Sequence, residues 1–155
     1  MSPQRIASTV RREVPSLRDE DRLRDAMAKI VELDVPALPV VDARGKLLGI
    51  FGEREFIGAL FPGYLNTLGY AGFVPRSLDE ALDKRASCAE DPVAKHMNTD
   101  HIDVGEDFSD TELAEIFLHH RVLIIPILAE GRVAGIVTRE DFSRALAQRL
   151  LTPPP

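Results

Sequence analysis

Thr138-Arg139-Glu140-Asp141 places a hydroxyl, a guanidinium and two carboxylates within about one helical turn, directly after the apolar run Ile136-Val137. Such a run entering a helix puts Thr138 beside the unpaired N–H groups of the first turn. Two readings fit. In one, the hydroxyl and those N–H groups make a place for a phosphate, with Arg139 pairing to it and Asp141 accepting from both hydroxyls of a ribose. In the other, Thr138 is a local N-cap and Asp141 an acidic residue of the first turn.

Other reactive side chains lack such company. All four histidines, His96, His101, His119 and His120, fall in the second half of the chain. His119 and His120 project about 100° apart on a helix and are poorly placed to chelate one ion, so no metal is expected. No Gly-x-Ser-x-Gly elbow or Gly-x4-Gly-Lys-Ser/Thr loop is present, and the chain does not read as an enzyme. Cys88 sits in the polar stretch Ala86-Ser87-Cys88-Ala89-Glu90, where Lys84 and Arg85 are balanced by Glu90 and Asp91; it reads as an incidental thiol. Glu106-Asp107 and Asp19-Glu20-Asp21 precede helices, where acidic residues favour the helix dipole.

The elements that must position Thr138 and Asp141 occur twice. Gly49-Ile50-Phe51-Gly52-Glu53-Arg54-Glu55-Phe56 is answered by Gly135-Ile136-Val137-Thr138-Arg139-Glu140-Asp141-Phe142, at an offset of 86 residues (49 to 135). Upstream, Leu38-Pro39-Val40-Val41 is answered by Ile125-Pro126-Ile127-Leu128 at an offset of 87 (39 to 126), and Val10 by Met97. The slip falls in a turn, where length changes are tolerated. Each unit reads as a short strand (Val14–Leu17; His101–Val104), a helix, a hairpin turning at Gly45 or Gly131, and a closing helix. The first helix of the second unit opens on Ser109-Asp110-Thr111-Glu112, a capping box. Leu23, Ala26, Met27, Ile30 and Val31 form its apolar stripe in the first unit, and Leu113, Ile116, Phe117 and His120 in the second.

This set resembles the CBS domain, and two in tandem resemble the CBS pair, or Bateman module. The carriers are Gly135-Ile136-Val137-Thr138-Arg139-Glu140-Asp141-Phe142, the apolar-Pro-apolar elements before them, and Pro92-Val93-Ala94-Lys95-His96-Met97-Asn98-Thr99. The resemblance implies a mixed α/β (α+β) fold of two β-α-β-β-α repeats packed sheet to sheet with pseudo-twofold symmetry. The implied organisation is repeat 1 over 6–60, a helical connector over 61–91, repeat 2 over 92–148, and a frayed tail over 149–155. It implies a regulatory module that binds an adenosine-containing ligand (AMP, ADP, ATP, S-adenosylmethionine or NAD) between the repeats, forms a homodimer and modulates a protein in trans, with no required cofactor. The implied site holds Thr138, Asp141, Arg139, His101, Ile102, Ile124, Ile125 and Pro126. The second cleft is degenerate, since Gly52 replaces the hydroxyl and Glu55 the aspartate. The alternative is an interaction module without a ligand, suggested by that degeneracy, by the apolar Pro36-Ala37 and Leu123-Ile124, and by Tyr64, Tyr70 and Phe73 in the connector.

Bulk properties narrow the field. The chain has 155 residues, of which 45% are hydrophobic and 28% charged, a globular balance. Its net charge of -6 argues against a nucleic-acid backbone or an anionic membrane surface as partner. A single cysteine excludes an internal disulfide and suits the cytoplasm. Neither a signal peptide nor a membrane span is expected.

Overall fold

In a computed structural model, residues 6–61 and 78–152 are described. The expected order appears twice. In the first unit, β1 (Leu17–Arg18), α2 (Leu23–Leu33), β2 (Ala37–Val41), β3 (Leu47–Gly52) and α3 (Glu53–Leu60) follow a short α1 (Ile6–Val10). In the second, β4 (Val104–Gly105), α5 (Asp110–His119), β5 (Ile124–Ala129), β6 (Arg132–Thr138) and α6 (Arg139–Leu151) follow a 3-10 turn over Val93–Lys95. Between them lie α4 (Leu78–Arg85) and a 3-10 turn over Ala86–Glu90. The sheets, β1-β2-β3 and β4-β5-β6, share one topology: a parallel first pair and an antiparallel hairpin.

The hairpin turns need backbone that only glycine adopts freely: Gly45 has φ +85° and Gly131 φ +79°. Both hairpins carry a register shift beside their turn, between Val40 and Val41 and between Ile127 and Leu128. β2 and β5 are in contact, and Lys46 bridges Arg132 between the hairpins. The buried residues form two clusters, and neither respects the boundary between the units. Ile124 and Ile136 join Leu17, Leu23, Leu38 and Phe51 of the first unit. Ala7 joins Leu113, Ile125, Val137 and Phe142 of the second. Burying an Ile or Leu side chain is worth about 1.5–3 kcal/mol, so shared residues of this kind make the units one body.

The segments leading into the units are exchanged. Arg12 forms an antiparallel bridge with Ile136 of the second unit, and Asn98 with Ile50 of the first. The ladder therefore matches Arg12 with Asn98, an offset of 86 (12 to 98) in place of the 87 expected from Val10 and Met97. The N-terminus of α1 is held by Asp110 of α5, whose Oδ2 accepts from Ile6 N at 2.7 Å and Oδ1 from Ala7 N at 2.9 Å. This exchange corrects the strand limits. β1 and β4 cover only the last residue of each expected strand and one beyond, because the residues before them are crossing to the opposite unit.

Two smaller expectations change, in α2 and α6, and Cys88 takes a definite place. Val31, expected in the α2 stripe, is 73% exposed. Cys88 is buried in the first cluster, since the turn carrying it packs against α2 and α3. α6 runs to Leu151, into the expected tail. Tyr64, Tyr70 and Phe73 lie outside the described residues. No helix among the described residues is long and apolar enough to cross a membrane.

Candidate functional site

Thr138 ends β6 and caps α6: its Oγ1 accepts from Asp141 N at 3.0 Å, and the residue is buried. The capping geometry read from the spacing is therefore present. It aims Asp141, in the first turn, toward the segment leading into the first unit. There both carboxylate oxygens are taken. Arg12 Nε donates to Oδ2 at 2.7 Å and Arg12 Nη2 to Oδ1 at 3.1 Å, a two-point pair. Arg12 holds the Asp141 carboxyl below its ordinary value, the Arg12 hydrogen bond being the largest cause and burial opposing it. Arg12 Nη1 also donates to the Asp34 carbonyl at 3.2 Å. Sequence spacing gave no sign of Arg12, which lies 129 residues from Asp141.

Arg139 is engaged within the chain. Its Nη2 donates to the carbonyls of Phe117 and His120, each at 2.9 Å, so the guanidinium ties the first turn of α6 to the C-terminal end of α5. Its backbone N donates to Leu123 O at 2.9 Å. Beside it opens a cleft of about 410 Å³ between the units, lined by Asp34, Val35 and Pro36 at the α2–β2 junction, Glu53, Leu123, and Arg139, Glu140 and Ser143 of α6. Asp34 reaches this place because α2 ends on it in left-handed conformation (φ 54°), which aspartate tolerates better than most residues.

The pseudo-equivalent place in the first unit is closed. A cavity of about 20 Å³ is lined there by Ala37, Ile50, Arg54, Glu55, Asn98, Arg121, Val122 and Leu123, room for about one water. Two residues account for the difference. Arg54 donates from Nη1 to the Arg121 carbonyl, reaching across the gap. Its counterpart Glu140 cannot donate and instead accepts from Arg144 at 2.7 Å. Glu55 turns back on its own helix, its Oε1 accepting from Gly52 N at 2.9 Å. Burial pushes its carboxyl above the ordinary value, against the bonds from the backbone N–H groups of Glu55 and Gly52. Gly52 is extended (φ -161°), and space demands the glycine: a Cβ there would lie 2.3 Å from Pro36 O and 2.4 Å from Ala37 Cβ.

The remaining expected residues are spread out. Ile124, Ile125 and Pro126 are buried in β5, with Ile124 in one cluster and Ile125 in the other; Leu123, just before them, lines the open cleft. His101 and Ile102 line neither cleft. The exchange carries their segment past Ile50 on the Glu55 side, and His101 Nδ1 lies 3.1 Å from Asp103 Oδ2. His119 and His120, at the end of α5, are exposed. Among the described residues, no three His, Cys, Asp or Glu side chains are grouped as a metal requires.

The pattern that defines the CBS domain matches residues 6–62 and 93–148. The fold is similar to that of the CBS-domain containing protein ATU1752 from Agrobacterium tumefaciens, with TM-score 0.68 and 21% identity, covering 91% of this chain and 90% of that one. It is similar to a putative acetoin utilization protein (AcuB) from Vibrio cholerae, with TM-score 0.67 and 25% identity, covering 96% and 97%. CBSX2, solved in complex with AMP, has TM-score 0.66 and 20% identity, covering 96% and 99%. Curated relatives are longer. An A-adding tRNA nucleotidyltransferase of Aquifex aeolicus is 23% identical over 86% of this chain, which spans 13% of that protein. An uncharacterized 17.7 kDa protein of Acidianus ambivalens is 26% identical over 80% of this chain, which spans 62% of it.

Proposed function

We propose a function from the premise that the chain belongs to the CBS-domain family: it is a paired regulatory module that takes an adenosine-containing ligand in the open cleft beside Asp141. The observation that carries this reading is the inequality of the two clefts. One has about 410 Å³ at the N-terminus of α6, within the roughly 300–1,000 Å³ of small-molecule sites; the other has about 20 Å³. Asp141, which lines a neighbouring recess of about 350 Å³ with Arg12 and Arg144, supplies acceptors for the two ribose hydroxyls, and the capped end of α6 favours one phosphate. The complex of CBSX2 with AMP supports the ligand class.

The module acts without chemistry of its own. Residues from both units line the cleft, so a ligand there favours one relative arrangement, which a partner protein reads as a shift in population. Titration calorimetry with AMP, ATP, S-adenosylmethionine and NAD tests this on wild type and Asp141→Ala. AMP binding is expected in wild type, with about a tenfold loss on Asp141→Ala, the cost of a good charged hydrogen bond. Undiminished binding in the variant rejects the site, and no binding of any of the four to wild type rejects the ligand class.

A ligand-independent association module is the second reading, favoured by exposed Leu118, Leu146, Leu150 and Leu151 on α5 and α6. It predicts a stable homo-oligomer by light scattering whose mass is insensitive to AMP and falls on Leu146→Glu or Leu150→Glu. A monomer rejects it.

A further inference from the structure

We infer that Arg12 is a latch: it holds both oxygens of Asp141, and a ligand must displace it to bind there. This rests on the reading of the open cleft as a ligand site. The atoms decide the point. A vicinal diol needs the same Oδ1 and Oδ2 that Arg12 Nη2 and Nε now occupy at 3.1 and 2.7 Å. The carboxylate keeps further lone pairs, but its side chain is only 13% exposed, so the guanidinium covers the approach and competes with the diol.

Release of Arg12 has a structural consequence. Its backbone is fixed to the second unit by two hydrogen bonds with Ile136, both 2.9 Å. Its guanidinium joins Asp141 of the second unit to the Asp34 carbonyl of the first. One side chain thus clasps the C-terminal end of α2 to the N-terminal end of α6 beside the cleft. At 37% exposure it is free to swing outward, and Asp34 and Glu140 remain near enough to attract it electrostatically. The other cleft is tied differently: Asn98, which makes the matching backbone bridge to Ile50, accepts on its Oδ1 from Asp100 N at 2.9 Å, and Arg54 of α3 reaches across to the Arg121 carbonyl instead. The Arg12–Asp141 pair lies beside the open cleft, in a neighbouring recess of about 350 Å³ that Arg12, Asp141 and Arg144 line.

The test is AMP calorimetry on wild type, Arg12→Gln and Arg12→Lys, with hydrogen exchange on wild type. Arg12→Gln is expected to bind AMP about fivefold more tightly, the worth of a partly exposed ion pair. Arg12→Lys, which keeps the charge but loses the two-point fork, should fall between, and it carries the comparison if Arg12→Gln does not fold. In wild type, saturating AMP should speed exchange of the Arg12 and Ile136 amides, because the backbone bridge then holds the segment alone. Equal or weaker AMP binding in the variants overturns the latch while leaving the ligand reading intact. Slower or unchanged exchange overturns the coupling to the units. Absence of AMP binding in every protein overturns the latch and the AMP reading together.

Discussion

Asp141 and Glu55 occupy equivalent positions, yet their environments push their carboxyls in opposite directions. Asp141 is lowered, chiefly by the Arg12 hydrogen bond. Its contribution to stability is present above the unfolded value of about 3.9 and is lost as pH falls through the lower folded value. Glu55 is raised, chiefly by burial. It favours the folded state below the unfolded value of about 4.3, and that advantage disappears as pH rises through the higher folded value. The Glu55→Gln variant keeps an acceptor for Gly52 N while removing the buried charge. It should melt on the order of 1–2 °C above wild type at pH 7 and lose that lead near pH 4 in a thermal-unfolding series. Asp141→Asn should do the reverse, melting lower at pH 7 and converging with wild type in acid. A Glu55→Gln protein less stable than wild type at pH 7 would show that the carboxylate, not its burial, matters there. At this scale the sequence spoke only of local bonds. Thr138 capping Asp141 N was legible because both partners lie in one turn; Arg12 reaching Asp141 was not, because only the fold brings them together.

Among the elements, the contrast between Gly52 and Gly58 separates packing from backbone freedom. A Cβ at Gly52 meets the Pro36 carbonyl and the Ala37 Cα and Cβ, none of which is a flexible side-chain end, whereas at Gly58 in α3 it meets nothing within 4 Å. Gly52→Ala should therefore cost about 2–3 kcal/mol, as overpacking against a fixed backbone does. Gly58→Ala should gain about 0.5–1 kcal/mol from helix propensity. Urea unfolding midpoints measure both, and a neutral Gly52→Ala would mean that the β3–α3 junction relaxes freely. The same junction shows how far the elements were readable. Repetition of the Gly-apolar-apolar pattern disclosed β3–α3 and β6–α6, and the turn glycines and Ser109 cap marked their own places. The exchange of the lead-in segments left no periodic trace. Val14 and His101 carry apolar or neutral character suited to a strand, and only the three-dimensional crossing from Arg12 to Ile136 and from Asn98 to Ile50 shortens β1 and β4.

For the molecule as a whole, the closed cleft and the open one differ in charge as well as in room. Arg54 draws the first shut by donating across it. The second is faced by Asp34, Glu53 and Glu140, with Arg139 the cation in its lining and already bound to two carbonyls of α5. A chain of net charge -6 adds a weaker field of the same sign. The N-terminus of α6 suits a single phosphate, but every further phosphate must enter beside these carboxylates. Calorimetry should therefore place AMP and S-adenosylmethionine ahead of ATP, by about tenfold or more, since one repulsive contact near a surface is worth on the order of 1 kcal/mol or more. The repulsion is screened by salt, so raising ionic strength from about 0.02 M to about 0.2 M should narrow the gap between ATP and AMP without improving S-adenosylmethionine. Glu140→Gln combined with Asp34→Asn should narrow it in the same direction at low salt. ATP binding more tightly than AMP at low salt in wild type would mean that a cation turns into the cleft on binding, with Arg12 released from Asp141 the residue best placed to do so.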